Sequence, residues 1–476
     1  MVTALLILAS ARKPNLRETF SITGAALTFI AVVSLLPHIL AGGAWEYNLV
    51  TVYPGISLKF RLDGLGILFA GTASFLWIAA AFYCIGYMRG LNEHAQTRFY
   101  LCYAVSVGAG AGAAFSGSLF TLYLFYEIIS IFTYPLVMHH QDEEGYYGGR
   151  KYIIYLMFAS KAFLLPAMAL TYVMCGTLDF STTGIMDGIF PTTAGRTMVT
   201  VTFLLFLFGF AKAAVMPLHN WLPDAMVAPT PVSALLHAVV VVKVGVFSIC
   251  RVMLSLFGVE LLHRTGLGYV TVCIASFTII TASVIALTRT NLKALLAYST
   301  VSQLSYMILG VAMLTPRAVT GGLIHIANHA FAKITLFFCA GAIYVSSRKK
   351  DITEMKGLGR AMPLTFAAFS AASLSMIGAP PAGGFVSKWF LLTGAVAAHQ
   401  VGIVAVLLVS TLLNAAYFVP VVYYAFFTGS PPEKDMEELS EASPFMVAPL
   451  LVTAAMSVVA GLYPNLFIRI IKGVLP

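Results

Sequence analysis

The stretch Met216-Pro-Leu-His-Asn-Trp-Leu-Pro-Asp-Ala-Met-Val-Ala-Pro-Thr-Pro231 decides how this chain is read. Its four prolines stand between two long apolar runs, and each removes a backbone donor and interrupts a helix. A second interruption, Gly378-Ala-Pro-Pro-Ala-Gly-Gly384, falls inside the apolar run 364–390. Around these breaks, apolar runs of roughly 16–25 residues recur from residue 19 to the C-terminus, and about 20 suffice to cross the hydrocarbon core as a helix. Unwound backbone at membrane depth is tolerated only where protein buries it or where it lines a hydrated cavity. A pair of breaks, one in each half of a chain, is expected to mark a transporter site, the alternative being a pair of re-entrant loops.

Composition agrees. Of 476 residues, 59% are hydrophobic and 10% charged, whereas soluble proteins carry about a quarter charged residues. The expected fold is an all-α polytopic membrane protein, a single membrane domain over 1–476 with about fourteen transmembrane helices counting an N-terminal stub. Residues 1–10 are apolar with no basic residue before them and no small-residue cleavage pattern, so they do not read as a signal peptide, and they are too short to span alone. The six cysteines lie singly in apolar runs, and no dinucleotide or ATP fingerprint is present. No cofactor site and no metal site is expected; redox chemistry or ATP hydrolysis would belong to another chain. The formal charge of +9 comes without a basic, aromatic-interleaved run, which argues against nucleic acid.

An internal repeat supports two halves. Gly148-Gly149, eight residues, then Phe158-Ala159 aligns with Gly321-Gly322, eight residues, then Phe331-Ala332, and a lysine follows each, Lys161 and Lys333. The halves are taken as 99–256 and 267–427, two inverted repeats with a proline-broken helix in each. Fifteen Lys and Arg fall in the loops after odd-numbered spans and seven on the opposite side. The first set is expected to face the cytoplasm, with both termini outside, or with the N-terminus in the cytoplasm if the stub does not cross. The acidic loop 433–441 falls on the cytoplasmic side in this scheme.

Six basic residues remain inside apolar spans: Lys161, Lys212, Lys243, Arg251, Lys333 and Lys388; one acid, Glu127, joins them. An intramembrane ionisable residue is costly and functional by default, the alternative being a side chain that snorkels from a helix end. Snorkelling suits Arg251 well and Lys161 less well. Burial disfavours the charged form of lysine and glutamate alike, which is what a proton relay needs. Glu127 and Lys212 are expected to act as a switchable pair. His325, His329 and Lys333 stand four residues apart, so successive side chains turn by only about 40° and form a stripe about 12 Å long. His237, six residues before Lys243, serves either relay or packing. The cluster His139-His-Gln-Asp-Glu-Glu144 has metal-ligand chemistry but sits between spans and reads as a solvated loop.

Four stretches carry a family resemblance: Phe210-Ala-Lys-Ala-Ala-Val-Met-Pro-Leu-His-Asn-Trp-Leu-Pro-Asp-Ala225, Ala228-Pro-Thr-Pro-Val-Ser-Ala-Leu-Leu-His-Ala238, His325-Ile-Ala-Asn-His-Ala-Phe-Ala-Lys333 and Pro380-Pro-Ala-Gly-Gly-Phe-Val-Ser-Lys388. They resemble the proton-conducting membrane transporter family, which comprises antiporter-like subunits of respiratory complex I, of Mrp-type cation/proton antiporters and of energy-converting hydrogenases. The resemblance covers nearly the whole chain. It implies that Glu127 is the fifth-helix glutamate and Lys212 its seventh-helix partner. It further makes Lys243 the eighth-helix lysine, His325, His329 and Lys333 the eleventh-helix relay, and Lys388 the twelfth-helix exit lysine. Lysine rather than glutamate at 388 argues against the M-type complex I subunit, and no long amphipathic helix follows the last span as in the L-type, so the likeness is nearest to the D-type subunit of Mrp antiporters. The implied function is proton translocation within a multisubunit cation/proton antiporter, with other membrane subunits as partners and protons or sodium as cargo. The rival is a membrane-arm subunit of a redox-driven pump, and a third reading is a non-conducting scaffold.

Overall fold

The computed structural model describes residues 2–181, 186–191, 195–429 and 439–472. Most of the acidic loop 433–441 lies outside the described residues. Among the described residues, ten helices are long and apolar enough to cross a membrane: Pro14–Leu40, Gly64–Gly90, Leu119–Val137, Glu143–Cys175, Val232–Phe257, Leu267–Leu287, Leu292–Ala312, Pro316–Ser347, Val401–Phe427 and Pro444–Leu462. Helices Gln96–Ala114, Arg196–Gly209, Pro363–Ile377 and Gly383–Ala397 complete the bundle. The all-α membrane architecture is as expected. The outer helices expose apolar side chains such as Leu27, Val173, Leu412 and Phe427, while Val232–Phe257 is buried along its whole apolar stretch. A helix that is apolar all round and still shielded from lipid is the centre of a bundle. Pro316–Ser347, buried from Ala318 to Ile343, packs against it.

Both proline breaks are real interruptions. Arg196–Gly209 ends before a single 3₁₀ turn, Ala211–Ala213, and helix resumes only in short pieces before Val232. Pro363–Ile377 ends at Gly378, and a new helix starts at Gly383. Three π-helical segments, Ser160–Leu164, Val232–Val240 and Met253–Phe257, interrupt the regular ladder elsewhere, a feature concentrated at functional positions.

One element has no counterpart in the hydropathy reading. Strands Trp45–Tyr53 and Ile56–Leu62 form an antiparallel hairpin between Pro14–Leu40 and Gly64–Gly90. Alternation in Trp-Glu-Tyr-Asn-Leu-Val-Thr-Val-Tyr and the Pro54-Gly55 turn were the available signals. Gly55 has φ +79°, and a Cβ there would sit 2.1 Å from the carbonyl oxygen of Gly176, so no other residue fits without movement.

Candidate functional site

The break after Gly209 places Lys212 on the 3₁₀ turn, fully buried. Its Nζ donates to the carbonyl of Tyr126 (2.7 Å) and to Ser130 Oγ (2.6 Å), and lies 3.2 Å from the centroid of the Tyr126 ring. All three groups belong to Leu119–Val137, the helix that carries Glu127. The expected Glu127–Lys212 ion pair is not the one formed. Glu127 Oε2 accepts from Lys161 Nζ at 2.7 Å, and Lys161 also donates to the Tyr123 hydroxyl at 2.7 Å. The reason is that Lys161 sits in the π segment Ser160–Leu164, where its half-exposed side chain (47%) reaches Glu127 across the helix face. Glu127 Oε1 has no hydrogen-bond partner and the carboxylate stays within electrostatic reach of Lys212.

Lys243 is fully buried and donates to the carbonyl of Ala238 in the π segment below it. Its helix crosses the Lys212 turn in direct backbone contact: a Cβ on Gly245 would lie 2.2 Å from Ala213 N and 2.5 Å from the Lys212 carbonyl carbon. His237 packs near Tyr152 and Trp221, with ring centroids at 5.8 and 6.3 Å, and neither ring nitrogen has a protein partner. Buried polar atoms of this kind are where internal water binds.

In the second half, the stripe lies on one buried face of Pro316–Ser347. His325 Nδ1 meets Ser387 Oγ at 2.7 Å and Nε2 meets Gln303 Oε1 at 2.8 Å. His329 follows, its ring centroid 5.8 Å from that of His325 and both nitrogens unpartnered. Lys333 closes the stripe, bonded to Ser299 Oγ. Lys243 is within electrostatic reach of all three, and Lys388 of His325. Lys388 Nζ donates to the carbonyls of Met376 (3.0 Å) and Ile377 (2.9 Å). These are last-turn carbonyls that the helix break leaves without intrahelical donors, and a cation at a helix C-terminus is favourable.

The structure thus gathers Lys243, His325, His329, Lys333 and Lys388 into one group, with Glu127, Lys161 and Lys212 in a second that touches it through Gly245. Two residues stand apart from their reading in the sequence. Arg251 does not snorkel; it is fully buried and forked onto Asp63, whose Oδ1 accepts from Nη2 at 2.9 Å and whose Oδ2 accepts from Nη1. The two lie 188 residues apart in the chain, beyond any spacing rule. Lys293, counted with a loop, lines a cavity of about 420 Å³ together with Tyr87, His140, Thr230 and Lys350, and donates to the carbonyl of Ala228 at 2.7 Å. It is within electrostatic reach of His237. Its position in the first turn of Leu292–Ala312 was the missed signal.

Residues 116–414 match the family model described as NADH:quinone oxidoreductase/Mrp antiporter, TM. The chain is 32% identical to the N subunit of NADH-quinone oxidoreductase from Desulforudis audaxviator, covering 96% of this chain and 92% of that protein. It is 31% identical to the A-type subunit of the Na(+)/H(+) antiporter from Alkalihalophilus pseudofirmus over 92% of its length but only 56% of that protein's, so it spans a little over half of the antiporter relative. In fold it is similar to a chain of the Mrp complex from Dietzia sp. DQ12-45-1b (TM-score 0.89, 24% identity, 99% of this chain and 94% of that one). It is likewise similar to a chain of an archaeal membrane-bound sulfane sulfur reductase (TM-score 0.87, 22% identity, 100% and 96%). With its broken helices, its matched span and a relative aligned over nearly its whole length, the chain is a multi-pass membrane protein and belongs to the NADH:quinone oxidoreductase/Mrp antiporter membrane-subunit family.

Proposed function

We propose that the chain is a proton-translocating subunit of a multisubunit cation/proton antiporter complex of the prokaryotic cell membrane. The observation that carries this is the file of buried titratable groups, Lys243, His329, His325 and Lys388, in electrostatic contact and held by neutral hydroxyls, amides and carbonyls rather than by carboxylates. A buried amine without a counter-charge gains or loses a proton at modest cost, whereas an ion-paired one does not. Lys243 and the histidine stripe load protons, Lys388 releases them at the second helix break, and His237 admits them from the cavity beside Lys293. Glu127 alternates between Lys161 and Lys212. Pairing with Lys161 leaves Lys212 without its carboxylate, and transfer of the carboxylate to Lys212 would hold that lysine charged. The two halves, 99–256 and 267–427, act as inverted repeats, each presenting a lysine at its break, and the basic loops put both termini on the outer side.

The second reading, a membrane-arm subunit of a redox-driven pump, is favoured by the near-complete overlap with an N subunit. Purification of the intact complex separates the two: iron–sulfur or flavin subunits would remove the antiporter reading, and small membrane partners alone would remove the redox one. Proton flux in vesicles tests translocation itself. Glu127→Ala and Lys212→Ala complexes that assemble are expected to lose at least about tenfold in flux, roughly 1.4 kcal/mol of barrier; wild-type flux in both would refute the relay.

A further inference from the structure

The relay leaves one cluster of metal-ligating side chains unused. Gly64–Gly90 and Leu119–Val137 run in the same direction, joined through the returning Gln96–Ala114, so the loops that follow them lie side by side at one end of the bundle. The first loop carries Glu93 and His94, and the second carries His139 and His140. Arg98 ties the two by donating to the His139 carbonyl at 3.2 Å.

His139, expected in a solvated loop, is completely buried. Its Nε2 lies 3.7 Å from Glu93 Oε2, and His140 Nδ1 lies 3.5 Å from the same oxygen. The His94 and His139 rings stack with centroids 4.8 Å apart. One ligand atom from each of Glu93, His94 and His139 falls within 4.8 Å of the others. Neither ring nitrogen of His139 makes a hydrogen bond of normal geometry, the nearest groups being Glu93 and the backbone of His94. Leaving a buried imidazole unsatisfied is costly, and such an orphan calls for a ligand.

We infer that Glu93, His94 and His139 form a binding site for a divalent transition cation of the Zn²⁺ class, with His140 at its rim. Two imidazoles and a carboxylate are the donor set such ions take, at about 2.0–2.2 Å, whereas Mg²⁺ and Ca²⁺ require oxygen ligands. Three protein ligands leave a fourth position for water or for His140. Ligand atoms up to 4.8 Å apart must close by about an ångström around bonds of that length, and His94, exposed on its loop, has the freedom to do so. Because His140 also lines the cavity beside Lys293, the ion would sit next to the mouth of that cavity.

The test is Zn²⁺ binding to the purified complex after chelator treatment, read by equilibrium dialysis and by X-ray absorption at the zinc edge. One tightly held Zn²⁺ per chain is expected, in a nitrogen/oxygen shell with two imidazoles, unaffected by a hundredfold excess of Mg²⁺. His94→Ala, on an exposed side chain, and Glu93→Gln should each weaken binding at least tenfold while the complex stays assembled; His139→Gln should do the same if it folds. A wild-type complex that takes up no Zn²⁺, or equal affinity in wild type and in the Glu93→Gln, His94→Ala double variant, would overturn the site. Transport activity does not enter the measurement.

Discussion

Arg251 and Lys333 are both fully buried cations inside the bundle, and they are held by opposite chemistries. Arg251 meets a carboxylate, Asp63, in a two-pronged fork, with the rings of Phe180 and Phe247 at 5.7 and 5.2 Å from its guanidinium carbon. Lys333 meets a serine hydroxyl and the Phe418 ring at 5.7 Å, and the nearest other bases are Lys243 and His329. The guanidinium never gives up its proton, and its carboxylate partner locks the charge in place. The ammonium has neutral partners only, so its charged and neutral forms are both accessible. Arg251 fastens the start of Gly64–Gly90 to the central helix, and Lys333 is suited to titrate. A buried cation is therefore not informative by itself; the charge of its partner is what sets these two apart.

The largest expected effect tests the structural side. Arg251→Ala takes the two-pronged fork from the buried Asp63 carboxylate and leaves only Arg61, its Nε 3.6 Å from Oδ2, as counter-charge, costing up to about 3–5 kcal/mol, and the complex should fail to accumulate in membranes. The double variant Asp63→Leu, Arg251→Met removes both charges and should recover most of the lost complex, measured as assembled particles by size exclusion. If the single variant assembles normally, the pair is not the fastener.

A smaller energy but a sharper functional readout comes from Lys333→Met. The swap roughly conserves volume, so stability should move by less than about 1.5 kcal/mol, while proton flux in reconstituted vesicles drops at least about tenfold. Unfolding of this variant on the scale of Arg251→Ala would erase the distinction between the two cations.

Lys161→Met should show the smallest effect. The lysine is half-exposed and Glu127 keeps Lys212 within electrostatic reach, so thermal stability should change less than in Arg251→Ala. Flux should shift by only a few-fold, because Glu127 loses one of two alternative partners. Complete loss of flux in Lys161→Met would make that lysine a relay member on a par with Lys212.

Local patterns carry much of the reading. The lysines of the relay announce themselves because each interrupts a long apolar run, and the two proline clusters because helix cannot pass through them. The His325–Lys333 stripe follows from helical spacing alone, and the structure places it on one buried face. The failures share a different character. The partner of Glu127 escapes sequence reasoning since a π turn, which no hydropathy pattern reports, brings Lys161 around the helix face. Arg251 looks like a snorkelling residue because its acid lies at the N-cap of a distant helix. Lys293 looks like a loop residue because it stands in the first turn of its helix, and the cavity it lines is built from elsewhere in the chain.

What the sequence by itself determined was the membrane class, the two helix breaks, the family and the identity of the buried bases, since these rest on hydropathy, proline and spacing within some twenty residues. The tertiary structure alone decided which buried cation meets a carboxylate and which meets neutral groups, that His139 is buried against Glu93 and His94, and that a β-hairpin stands between Pro14–Leu40 and Gly64–Gly90. Pairing in a low-dielectric interior is set by which helices pack together, and contacts across 188 residues of chain leave no trace in local periodicity.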